Sequence, residues 1–260
     1  MSDSSPPPQV NQSARDLPPR VGRWLRRGLL AVAVIVAWLL LLRFDVPIMR
    51  WGSGVFPDDP HGWTEQFLLG LRDFGQILPV LVTCVIVAAF DGRRRRIIAA
   101  ILLAQLLAMV VYNAGKYTIV RYRPNAGVVD VRDPAARSAD SWVGWAPGNT
   151  EERSVSFPSG HSSAAFAFGT VLAAFYPRLA WLFWSLAVGC AASRFIQFFH
   201  WPSDCLAGGT IGYLCACLWV RVFKPSDTHT PAPRPEPAVG VAEGLRPDLA
   251  DHHLHGHEKE

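Results

Sequence analysis

Eight residues of this chain are of types that handle an oxyanion: Lys116, Arg123, Ser159, Gly160, His161, Arg194, His200 and Asp204. A lysine ammonium is a compact point charge, and an arginine offers a planar fork that matches phosphate oxygens. Pro158-Ser159-Gly160-His161 opens directly into an apolar run and reads as a helix start. Such a start leaves free N–H groups and a positive dipole end, which together favour an anion. Ser159 can cap or donate its hydroxyl, Gly160 lets the backbone come close, and His161 adds a proton donor. Ordinary turn chemistry accounts for Pro-Ser-Gly equally well when it is taken alone. Arg194 stands inside an apolar block, where a charge is costly and marks a site facing the bundle interior. Snorkelling to the boundary is the plainer alternative.

His200 precedes Trp201-Pro202-Ser203, and Asp204 falls in the first turn of the next helix. From there its carboxylate can accept the Nδ1 proton of His200 and leave Nε2 free as a nucleophile. A helix-capping pair is the alternative. Lys116 and Arg123, on one continuous helix, would share a face two turns apart, roughly 10 Å along the axis. Pro124 pushes Arg123 out of the helical region, so that it curls over the helix end. Arg121 falls on another face of that helix and reads as an interfacial charge. Interfacial anchoring could also explain Lys116 and Arg123.

The elements that must position these residues are apolar blocks of membrane-spanning length. Half of the 260 residues are hydrophobic, and the charges crowd into the gaps between blocks. Six spans are expected, at 28–42, 74–90 (kinked at Pro79), 97–119, 162–176, 179–199 and 204–223. The fold class is therefore all-α, an integral membrane bundle of six transmembrane helices. The basic flank before residue 28 also fits a signal peptide, but the run ends without a small-residue cleavage site, favouring an uncleaved span. Six spans put both termini on one side. Arg20 to Arg27, Arg93 to Arg96, Arg178, Arg221 and Lys224 mark that side as cytoplasmic. The formal charge of +4 sits beside the spans and forms no basic stripe, which argues against nucleic acid as a partner.

The domain reading is a disordered tail over 1–24, a membrane domain over 25–224 and a second disordered tail over 225–260. The histidines at 252–257 belong to that second tail, where adventitious metal binding is the alternative. Residues 63–74 read as an amphipathic helix at the outer interface, or as a connector packed on the bundle. The segment 125–157 is a lid or a disordered connector. Five cysteines within apolar blocks, without paired spacing, read as small packing residues.

On this topology spans three, four, five and six all present site residues at one membrane face, the outer one. Three cations, a helix N-terminus and two histidines there suit a multiply charged oxyanion. Charges lining an anion path through a transporter are the non-enzymatic alternative, but these cluster at one end.

The residues resemble the three-part signature of the type 2 phosphatidic acid phosphatase family, related in its site to vanadium haloperoxidases and bacterial acid phosphatases. Lys116 with Arg123-Pro124 resembles the first part. Pro158-Ser159-Gly160-His161 resembles the second, and Ser193-Arg194 with His200 and Asp204 the third. The resemblance covers spans three to six and does not reach the tails. It implies that Lys116, Arg123 and Arg194 hold phosphate oxygens, with the Ser159 hydroxyl and the Gly160 amide. It further implies that His200 attacks phosphorus, that Asp204 orients it, and that His161 protonates the leaving oxygen. The spacing itself leaves open which histidine attacks.

No cofactor is expected, since three fixed cations take the charge a metal would hold. The expected partners are the bilayer and a membrane lipid phosphate, with no obligate protein partner evident. Phosphatidate, phosphatidylglycerol phosphate and polyprenyl diphosphates such as undecaprenyl diphosphate all present a similar phosphate. A transferase passing phosphate to another alcohol would use the same residues.

Overall fold

The computed structural model describes residues 19–55 and 62–224. The tails expected at 225–260 and over most of 1–24, with the terminal histidines, lie outside the described residues.

Among the described residues seven helices follow in order: α1 (Pro19–Val55), α2 (Trp63–Asp73), α3 (Ile77–Phe90), α4 (Arg94–Lys116), α5 (Gly160–Phe175), α6 (Ala180–Ile196) and α7 (Pro202–Phe223). Two short strands, β1 (Ile119–Arg121) and β2 (Trp142–Trp145), pair antiparallel, with Ile119 opposite Trp145. α1 already begins at Pro19, inside the segment expected as a tail.

The inside of the bundle mixes alanines with a few large side chains such as Ile97, Ile101 and Phe168, and its outside is large and apolar. On α4, Ile97, Ala100, Ile101, Ala104 and Ala108 recur at three- and four-residue spacing and are sealed. Leu102, Leu106, Met109 and Val110 on the same helix are exposed, which suits a hydrocarbon solvent. α5 is apolar all round and runs down the middle, packed by α4, α6 and α7. α7 lies tight against it through Gly208 and Gly212, where an added Cβ would strike the Ser159 and Ser163 carbonyls. Such a small-xxx-small pair lets two helix backbones approach inside a membrane.

Among the described residues, four helices are long and apolar enough to cross a membrane: Gly28–Ser53, Arg94–Lys116, Pro177–Ile196 and Pro202–Phe223. The pair α2 and α3, bent by 56°, makes a fifth if it counts as one span. α5 has 16 residues; at about 1.5 Å each it is shorter than the roughly 30 Å hydrocarbon core. The expectation of six spans is thus approximate in number, although helices stand at all six places.

The kink expected at Pro79 is absent. Pro79 sits in the first turn of α3, where its missing N–H is not needed, and the bend falls at 74–76. There Gly75 touches the His161 carbonyl, an approach that leaves no room for a Cβ. α2 packs along α6, with Leu71 against Gly189, so it is a connector laid on the bundle.

The far end of the bundle is fastened at the α3–α4 turn. Tyr176 donates to the Asp91 carboxylate at 2.8 Å, and the Arg93 backbone amide and guanidinium donate to it as well. These bonds hold the Asp91 carboxyl down to about 2. Lys224 Nζ reaches the Ala174 carbonyl at the same end. The cysteines are free, and Cys190, Cys205 and Cys215 are buried, the Cys190 thiol against the Arg72 and His161 carbonyls.

Candidate active site

At the opposite end the last turn of α4, the first turn of α5, the end of α6 and the start of α7 meet. Gly115 of α4 abuts the Pro158 ring, and the Tyr112 ring lies between Gly160 and Lys116, with Lys116 Nζ 5.8 Å from its centroid. The Ser159 amide donates to the Asp204 carbonyl at 3.1 Å, joining α5 to α7. The structure therefore brings the predicted residues to one place, with several local geometries unlike those expected.

α4 stops at Lys116, and the chain continues as a turn and then β1. Lys116 and Arg123 are thus not two turns of one helix. Arg123 is extended, as the following proline requires, and its amide donates to the Arg153 carbonyl at 2.8 Å. Its Nη1 lies 3.7 Å from Glu152, whose side chain is largely exposed, and its buried Nε has no hydrogen-bond partner among the described residues.

Ser159 caps α5, with its hydroxyl accepting from the Ser162 amide at 3.4 Å. Gly160 and His161 follow as the first residues of the helix, whose leading amides have no partner within it. Gly160 lies flat against the Tyr112 ring.

Arg194 is buried near the end of α6, stacked on Phe199 at 4.5 Å. One nitrogen donates to Gln197 at 3.2 Å, while Nε has no partner among the described residues. Snorkelling is excluded by that burial. The chain then reverses through Phe198, at φ 61°. The Phe198 and Phe199 amides return to the Phe195 and Arg194 carbonyls, the two bonds of a Schellman cap. A bulky residue in the left-handed region costs about 1–3 kcal/mol and persists only where its surroundings hold it. The reversal sets His200 directly behind Arg194, whose carbonyl also accepts from the His200 amide at 3.3 Å.

His200 is 2% exposed, and its Nδ1 lies 2.7 Å from the Ser156 carbonyl. A carbonyl only accepts, so Nδ1 carries the proton and Nε2 keeps its lone pair. Burial, and then Lys116, Arg194 and Arg123, push the imidazole well below its ordinary value, so it is neutral.

The contact expected between Asp204 and His200 is not made, because Ser156 has taken its place. The Asp204 carboxylate instead accepts from the Ser156 hydroxyl at 2.6 Å, the Trp201 amide at 3.1 Å and Arg121 at 2.5 Å.

Arg121, expected at the interface, is fully buried. It pairs with Asp204 and with Asp45 of α1, the latter at 2.6 Å. Neither Asp45 nor this role of Arg121 follows from the spacing of the site residues. The available signal was Asp45 itself, a carboxylate beside an apolar run that demanded a cationic partner. Reading 117–123 with the helical period hid that partner.

The segment 125–157 is ordered. It carries β2 and short 3-10 turns at Pro124–Ala126, Ser138–Ser141 and Glu152–Ser154. Val129 and Val131 are buried against Val46, Met49 and Trp201, and Trp142 covers Arg121 at 4.4 Å. Among the alternatives drawn from sequence, a disordered connector is thus excluded.

A family model described as the PAP2 superfamily matches residues 97–227, half of the chain. The fold is similar to the crystal structure of Aquifex aeolicus LpxE, with a TM-score of 0.50 and 19% identity over 67% of this chain and 93% of that one. It is also similar to a transmembrane PAP2 type phosphatidylglycerolphosphate phosphatase from Bacillus subtilis, with a TM-score of 0.48 and 20% identity over 72% and 92%. No curated protein matches the sequence.

Proposed function

The chain belongs to the PAP2 superfamily, and we propose that it is a membrane phosphatase cleaving a phosphomonoester or diphosphate from a lipid without a metal. One observation carries this reading: two histidines and the buried, unpartnered Nε atoms of Arg123 and Arg194 meet Lys116 and the start of α5 at one bundle end. Buried donors without acceptors are costly, and a phosphoryl oxyanion supplies the missing acceptors.

Lys116, Arg123 and Arg194 take the non-bridging oxygens, helped by the Ser159 hydroxyl and the Gly160 amide. The Nε2 lone pair of His200 attacks phosphorus while the bond from phosphorus to the leaving oxygen breaks. His161 gives its proton to that oxygen. In the second step water loses a proton to His161 and attacks the phosphohistidine; the P–N bond breaks and phosphate leaves. Asp204 acts at one remove, through Ser156.

On this reading the site faces outward, with both termini inside. Arg93 to Arg96, Arg178, Arg221 and Lys224 all belong to the end fastened by Asp91 and Tyr176, opposite the site. The ordered segment 125–157, packed on Trp201 and Arg121 beside the site, is the part that would read the head group.

The test is phosphate release by the purified protein from phosphatidate, phosphatidylglycerol phosphate and a polyprenyl diphosphate. Release from at least one, lost in His200→Ala, is expected. Release that survives His200→Ala rejects the mechanism, and no release from any of the three rejects the lipid reading. Transfer to an added alcohol in place of water would make the protein a transferase.

A further inference from the structure

Arg121 is saturated, in contrast to Arg123 and Arg194. All five of its N–H donors are used: Nε on Ser141, Nη1 on Ser203 and Asp204, Nη2 on Asp45 and Ser138. Its plane lies between the Trp142 and Trp201 rings, at 4.4 and 5.2 Å. With nothing left for a ligand, its work is on its neighbours.

Those neighbours lead to the imidazole. Asp45 is held by Ser138, by Ser203 and by the Ser203 amide, and it fixes one edge of the guanidinium. The other edge fixes Asp204, and Asp204 accepts the Ser156 hydroxyl at 2.6 Å. The Ser156 amide donates to the Arg121 carbonyl at 3.0 Å, so Arg121 grips Ser156 from both sides. The Ser156 carbonyl then accepts from His200 Nδ1.

We propose that Arg121 and Asp45 are positioning residues for His200: they lock Ser156 directly and through Asp204, and thereby set the tautomer and aim of the imidazole. Asp45 lies on α1, outside the residues matched to the family, so the first helix is part of the reaction apparatus. This rests on the phosphatase reading above. A wild-type protein that neither hydrolyses a lipid phosphate nor binds vanadate would sink that reading first.

Three full-length variants, Ser156→Ala, Asp45→Asn and Arg121→Lys, test the proposal in detergent. A misplacement of about 1 Å can cost about 10²-fold in rate, so kcat is expected to fall between about tenfold and that figure. KM for the lipid is expected to stay within about twofold, because the phosphate-holding cations are untouched. Inhibition by orthovanadate and by phosphate provides the second readout. Vanadate takes an axial bond from Nε2 and is expected to weaken in step with kcat, whereas phosphate, held by the cations, is not.

Should Arg121→Lys and Asp45→Asn fail to fold, Ser156→Ala decides, since it removes one hydroxyl and no charge. A folded Ser156→Ala with wild-type kcat and vanadate inhibition overturns the proposal. Parallel weakening of vanadate and phosphate also overturns it, because that marks general loosening of the site.

Discussion

Ser156 and His200 meet through a 2.7 Å contact between a backbone carbonyl and Nδ1. The serine thus serves two partners, its carbonyl accepting from the imidazole N–H and its hydroxyl donating to the Asp204 carboxylate. Backbone lies between the carboxylate and the histidine, so the imidazole is aimed by an element fixed at both ends.

A neutral buried His200 makes stability depend on pH. Its folded pKa is depressed, so between that value and about 6.5 the unfolded chain binds the extra proton. Stability from this group is complete above about pH 6.5 and falls as the pH drops, by up to about 1.4 kcal/mol per unit. His200→Gln is expected to lack that slope. Thermal midpoints of the two proteins from pH 7.5 to 4.5 should diverge on acidification; parallel curves would show that His200 is not held neutral.

His161→Ala is expected to lose about 10²- to 10⁴-fold in kcat, the usual worth of a placed proton donor. An aryl phosphate, whose leaving oxygen needs no proton, should suffer much less than a lipid phosphate. Equal losses on both would remove His161 from the role of acid.

Arg194→Met should weaken transition-state binding by about 10²-fold or more, since it removes a fixed cation from an apolar site. With positive charge supplied by Lys116, Arg123 and Arg194, activity is expected to persist after EDTA. Loss of turnover in EDTA, restored by a divalent ion, would contradict this use of the cations.

Gly212→Ala should destabilise the bundle by about 1–3 kcal/mol, because the new methyl meets the Ser163 carbonyl and the Ala167 amide and the backbones must part. Gly208→Ala acts one turn nearer the site, on the Ser159 carbonyl, and should lower kcat as well. A Gly208→Ala protein with unchanged midpoint and turnover would refute the tight α5–α7 seam.

Much of the fold was legible because membrane burial is a local property. Apolar runs located the helices, and the proline after Arg123 gave its extended backbone. Pro-Ser-Gly announced the cap of α5, where the Ser159 hydroxyl accepts from the Ser162 amide. Periodicity failed where the secondary structure changed: a helical period carried past Lys116 into β1 turned Arg121 towards the interface.

By itself the sequence determined that apolar helices would form and that cations, histidines and a helix start would crowd one end of them. Those facts follow from spacing and hydropathy within a few turns of chain. Only the tertiary structure decided which charge neutralises which. Arg121 finds Asp45 76 residues away and Asp204 83 away, while Ser156 finds Asp204 across 48. A buried charge accepts whichever partner packing brings within reach, and that choice is written in no local pattern.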